Sequence, residues 1–205
     1  MANNVATVND GIMELINDVM DHIADANEIE ELAKNNDYDV DTLKRWQTLK
    51  AGSLGFLSGI PGGLLAVPAA FADISATLYN QVRMVAGIAY IRGYDVNSEN
   101  VKCLIMACLV GEKVIGNMVK KAATEMLTTA IENYIKRKTA KTVYQKFAEK
   151  LGFRIATKSA ASGLRHIVPL LGGLVSGSYD ALSTRAVGEL ADKMFPAKVV
   201  PAYAA

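Results

Sequence analysis

Asp73 and Asp180 are carboxylates that interrupt otherwise apolar runs. Each is followed four residues on by a threonine, Thr77 and Thr184, and shares its segment with an arginine, Arg83 or Arg185. On a helix, residues four apart lie on one face, so each aspartate and its threonine point the same way. A carboxylate taken out of water needs a cation or hydrogen-bond donors, or it is held neutral. The sequence therefore predicts a buried polar network, or a pocket, built from Asp73, Thr77, Arg83, Asp180, Thr184 and Arg185, with the arginines pairing crosswise to the aspartates. Paired carboxylates can also act as general acid and base, but that chemistry needs a cleft and a substrate handle. Neither is visible, so no catalytic residue is assigned and the reading leans away from an enzyme.

The remaining reactive groups add little. His22 and His166 are the only histidines and lack the spacing of zinc ligands; His166, beside Arg165, reads as a helix-end residue. Ser53 in AGSLG lacks the first glycine and the preceding strand of a nucleophile elbow. No Walker A sequence and no G-x-G-x-x-G is present. Neither a metal nor a cofactor is expected. Cys103 and Cys108 lie five apart in VKCLIMACLVG, too far for easy bridging on one helix, and read as free, buried thiols.

The elements that must carry these residues read as helices throughout. Ile12, Leu15, Ile16, Val19, Ile23 and Ala26 repeat at helical spacing, with acidic residues between them. Asn35-Asn36-Asp37 is a turn signal, after which a second helix starts near Asp41 with Leu43, Trp46 and Leu49 on one side. It leads into residues 51–72, AGSLGFLSGIPGGLLAVPAAFA, which hold no charge but five glycines and two prolines. A membrane span needs about 20 mostly apolar residues with an intact hydrogen-bond ladder. Pro61 between Ile60 and Gly62-Gly63 favours two short helical arms instead. After Pro68 a helix runs to about Arg92 and stops at Gly93, and Ser98 caps the next. Apolar positions from Ile115 to Ile135 predict a further amphipathic helix that Lys136, Arg137 and Lys138 end favourably. A second uncharged glycine-rich segment, HIVPLLGGLVSGSY, precedes a last helix to about Phe195. With no convincing period-two segment, the fold class is all-α, a single-domain helical bundle with two glycine-rich apolar hairpins.

Charge is divided along the chain. The net charge is +1, yet residues 1–41 hold 11 acidic side chains and one lysine, while residues 113–165 hold 12 basic and three acidic ones. The bland consequence is docking of the acidic first helix on the basic body; the sharper one is attraction to anionic lipid. Few aromatics accompany the basic run, which argues against nucleic acid. The start, MANNVATVND, lacks the features of a secretory signal, so an intracellular location is expected.

VPAAFADISATLYNQVRMVAGIAYIRGYD resembles the EcsC protein family, in which a proline- and glycine-rich segment precedes an aspartate-bearing helix, an Ile-Ala pair and a Tyr-Gly turn. VPLLGGLVSGSYDALSTRAVGELADKMF resembles the family's C-terminal signature through Pro169, Gly172, Gly177, Thr184 and Arg185. Asp180 stands where the family usually has asparagine, and Arg92-Gly93-Tyr94 where Tyr-Gly is common. The resemblance covers about residues 54–195. It implies bacterial membrane association, since the family is named for a protein encoded beside a secretion-linked ABC transporter, and it carries over no catalytic residues.

These observations divide the chain into an acidic N-terminal helix (1–36), an EcsC-like helical domain (37–195) and a disordered tail (196–205). The expected function is that of a non-enzymatic accessory protein, cytoplasmic and peripheral to the inner face of the membrane, engaging anionic bilayer or a transport or secretion complex. Leu54, Phe56, Leu57, Leu64, Leu65, Lys136, Arg137, Lys138 and Lys141 are the expected membrane contacts. The alternatives are a small-molecule-binding or hydrolase-like enzyme with an Asp/Arg pocket, and a soluble adaptor that forms homo-oligomers.

Overall fold

A computed structural model describes residues 26–58, 66–111, 137–162 and 169–197. Within them lie six helices and no strand: α1 (Ala26–Lys34), α2 (Val40–Ser58), α3 (Ala66–Ile91), α4 (Glu99–Val110), α5 (Arg137–Ser162) and α6 (Pro169–Met194). The all-α fold is as the sequence predicts.

Local chemistry sets the helix ends. After α1 the chain reverses through Asp37 and Tyr38, both at positive φ (55° and 52°). Asp39 then caps α2, its carboxylate accepting from the Thr42 amide at 2.7 Å. A hydrogen bond from the Thr42 side chain, with the Thr42 and Asp41 amides beside it, holds the Asp39 carboxyl below its ordinary range. α3 stops as expected at Gly93 (φ 80°). The Tyr94 amide donates to the Ala89 carbonyl and the Gly93 amide to the Tyr90 carbonyl, both at 2.9 Å, which is the Schellman pairing. Ser98 occupies the N-cap position of α4, but its hydroxyl makes no capping bond.

Three sequence expectations change. α6 already begins at Pro169, so Gly172, Gly173 and Gly177 lie within one continuous helix; proline at the first helical position loses no needed N–H and presets φ. Arg137 and Lys138 do not end a helix but belong to α5, which continues to Ser162. On α2, Leu43 is fully buried whereas Trp46 and Leu49 are each 63% exposed, so the three do not share a core face.

The centre of the molecule is α4. Cys103 through Val110 are all buried, as a helix apolar on every side must be, and α3, α5 and α6 surround it. Phe147 and Leu151 from α5, Ile74, Leu78 and Ile88 from α3, and Phe195 after α6 complete the core, which Ile29 of α1 joins. Tyr94 packs edge-on against Phe195 with ring centroids 5.2 Å apart, and its hydroxyl donates to the Pro196 carbonyl at 3.0 Å.

α2 and α6 form the most extensive pair and run antiparallel, since Lys44 near the start of α2 meets Asp192 near the end of α6 at 3.1 Å. Gly188 permits this approach: a Cβ there would lie 3.2 Å from Lys44 Cγ and 3.2 Å from Met84 Sδ. No helix among the described residues is long and apolar enough to cross a membrane.

Candidate functional site

α6 buries Asp180, Thr184 and Val187 on successive turns, and α5 buries Phe147, Leu151 and Arg154. Spacings of three and four residues put each set on one helical face. Asp180 is completely buried, and Arg154, 7% exposed, reaches it with Nη2 3.4 Å from Oδ1. A buried charge pair of this kind adds little net stability, yet losing one partner strands the other. Gln81 of α3 approaches from the opposite wall, its amide nitrogen 3.1 Å from both the Ser183 and Thr184 hydroxyls. Ser183 in turn donates to the Asp180 carbonyl at 3.1 Å. Three helices thus meet through one polar seam inside an apolar core.

The seam borders a cavity of about 380 Å³ whose wall includes Gln81, Cys108, Lys150, Arg154, Ser183 and Lys193. That size falls within the range of small-molecule sites. Lys150 lines it, and its Nζ donates to the Leu109 carbonyl at 2.6 Å and the Val110 carbonyl at 3.2 Å. These are the last carbonyls of α4, which have no partner within the helix. Burial, reinforced by the Arg154 charge, pushes the Lys150 ammonium down to about 8. Burial acts on the thiols in the opposite sense: Cys103 is pushed up to about 11 and Cys108 higher still. Both are free and buried, as inert structural cysteines are.

The residues named from sequence are dispersed. Asp180, Thr184 and Thr77 are buried, and the first two belong to the seam. Arg83 does not reach Asp180. It pairs instead with Glu28 of α1 at 2.8 Å and stacks over the Tyr79 ring at 5.2 Å, while Tyr79 donates to the same Glu28 carboxylate at 2.5 Å. Arg185 is exposed, because five positions along α6 from Asp180 turns it away from the buried face. At Asp180, Arg154 therefore takes the place that the crosswise pairing read from sequence gave to Arg83. Asp73 lies in α3, with its side chain outside the described residues. Lys150, Arg154, Gln81 and Ser183 were not singled out from sequence. The available signal was weak: Lys150 and Arg154 flank Leu151 at i, i+4 spacing within a long basic run.

Residues 4–198 match the family model of the EcsC protein family. The chain belongs to the EcsC protein family. The match spans nearly the whole chain, more than the 54–195 resemblance read from the motifs. No curated protein and no solved structure matches it. In this EcsC-family chain, Asp180 is the residue whose charge Arg154 answers.

Of the expected membrane contacts, Leu64, Leu65 and Lys136 lie outside the described residues. Leu54, Phe56 and Leu57 belong to α2, and Arg137, Lys138 and Lys141 to α5, with their side chains likewise outside the description. His22 and His166 also lie outside it. One surface patch is well defined. Arg45, Trp46, Leu49 and Lys50 are all exposed on the outer side of α2, directly before the uncharged residues 51–72.

Proposed function

We propose that this EcsC-family protein is a non-enzymatic accessory protein that binds the inner face of a membrane peripherally, meeting anionic lipid on its own or within a transport or secretion complex. The observation that carries the reading is the outer face of α2, where two large apolar side chains, Trp46 and Leu49, are exposed between the basic residues Arg45 and Lys50. Tryptophan is favoured at headgroup depth, and lysine or arginine beside it adds about 1 kcal/mol each near an anionic surface. The neighbouring uncharged stretch, residues 51–72, extends the apolar character along the chain.

Apolar burial and charge attraction act together in such binding, but only the second is screened by salt. Full burial of a leucine-sized side chain contributes about 1.5–3 kcal/mol. Flotation with anionic and neutral liposomes at low and high salt tests the reading. The native protein is expected to float with anionic vesicles and to be only partly stripped by salt. Trp46→Ser with Leu49→Ser, at positions already facing water, should keep the fold, as circular dichroism would verify, and should lose at least tenfold in vesicle affinity. A native protein that stays in solution with every vesicle, or a double variant that floats as before, would sink the proposal.

A further inference from the structure

The cavity bounded by α3, the end of α4, α5 and α6 lies apart from the α2 surface of the membrane reading. Lys150 projects from α5 to its wall and spends two N–H donors on the Leu109 and Val110 carbonyls. An ammonium has three donors; when it loses a proton while keeping both bonds, the third position becomes the lone pair. Lys150 and Gly111 both line the cavity. The φ of 106° at residue 111 favours glycine, which puts no side chain next to the amine; a Cβ there would be in ordinary contact with Lys150 Nζ at 3.9 Å. The surrounding wall is polar enough to orient a ligand, with Gln81, Tyr179 and Ser183 contributing amide and hydroxyl groups.

We propose that Lys150 is a reactive amine that captures a small polar aldehyde or ketone in this cavity as an imine. The neutral amine adds to the carbonyl carbon, forming the C–N bond. The two amine protons pass through solvent to the former carbonyl oxygen, which leaves as water, and the C=N bond closes. No oxidant or reductant enters the step. A desolvated lysine next to a second cation is a recognised way of keeping an amine neutral and nucleophilic. Here Arg154 supplies that cation from α5. The other titratable groups facing the cavity are Cys108 from α4 and Tyr179, Glu189 and Lys193 from α6, while Asp180 is reached through Arg154. The two α4 carbonyls favour the charged form, and burial with Arg154 opposes them; the net direction is downward, to about 8.

The consequence is selectivity. At pH 7.5 an amine that titrates near 8 is neutral in about a quarter of molecules, against about one in a thousand for an ordinary lysine near 10.4. Glyoxylate, a small aldehyde bearing a carboxylate, serves as the probe. The full-length protein is incubated with it and cyanoborohydride across pH 6.5–10, and the reduced adducts are located by peptide mass spectrometry. Lys150 is expected to be modified first, faster than exposed Lys34 and Lys50 by tenfold or more at pH 7.5, with its rate reaching half-maximum near pH 8. Lys150→Arg should abolish that fast phase and leave the slow one. If native Lys150 stays unmodified, or is modified no faster than the exposed lysines, the proposal is overturned and Lys150 only caps α4. The native peptide map decides the matter even if the variant fails to fold.

Discussion

Removing the charge of Asp180 is the sharpest test of how the interior is held together. Asp180→Asn keeps the shape of the side chain but removes the carboxylate charge that the Arg154 guanidinium meets at 7% exposure, near Lys150. Removing one partner of a buried pair costs about 3–5 kcal/mol, whereas replacing both by apolar groups of similar volume is often neutral or stabilising. For a domain of this length each kcal/mol moves the melting temperature by about 2–4 °C, so Asp180→Asn should melt roughly 6–20 °C lower. Arg154→Met should be destabilising by a comparable amount, because it removes the guanidinium that meets the Asp180 carboxylate. The double variant Arg154→Met with Asp180→Leu should return to within about 1 kcal/mol of the native protein. Urea unfolding followed by circular dichroism gives all four corners of the cycle, and these outcomes together correspond to a coupling energy of at least about 5 kcal/mol. A single-variant loss below about 1 kcal/mol, or losses that simply add in the double variant, would refute the claim that the two charges answer each other across the seam.

Two further outcomes follow from the packing and the titration of buried groups. Gly188→Ala gains about 1 kcal/mol of helix propensity against a Cβ placed 3.2 Å from the flexible side chains of Lys44 and Met84; chemical denaturation should find it within about 1 kcal/mol of native, and Gly188→Val destabilised by a further 1–3 kcal/mol through overpacking. Lys150 binds its proton less tightly folded, at about 8, than unfolded, near 10.5. The unfolded state therefore holds more protons between these values, and this group makes stability rise with pH across that window. Comparing the pH dependence of unfolding for the native protein and Lys150→Met isolates the slope, which should be present in the first and missing in the second, amounting to about 3 kcal/mol over the whole window.

Much of the secondary structure was legible because its signals are local. The turn at Asn35-Asn36-Asp37, the stop at Gly93 and the Ser98 position before α4 all rest on backbone chemistry within a few residues. The start of α6 was missed because glycine pairs read as a break, whereas Pro169 at the first position and packing against α2 carry one helix through them. Trp46 was misplaced for a related reason: a helical repeat of three apolar residues fixes a face but not what covers it, and Leu43 alone of the three meets the core.

The polar interior shows where the boundary lies. From sequence it is clear that an aspartate at 180, within an apolar run, must find a donor or a cation, since burying a bare carboxylate is too costly. Which cation could not be read, because Arg83, Arg154 and Arg185 are equally charged and differ only in the direction that their helices give them. Arg185 faces solvent, Arg83 is taken by Glu28 and Tyr79, and Arg154 is left facing Asp180. The same holds for Lys150, one basic residue among many in a run that reads as a solvated face; only the placement of α5 against the end of α4 puts its amine on buried carbonyls beside a cavity. Composition and spacing thus determined the all-α class and local punctuation such as the stop at Gly93, and the glycine- and proline-rich motifs carried the resemblance to the family. The partner of each buried charge was decided by tertiary packing, because a charge in low dielectric is governed by what lies within a few ångströms in space and not along the chain.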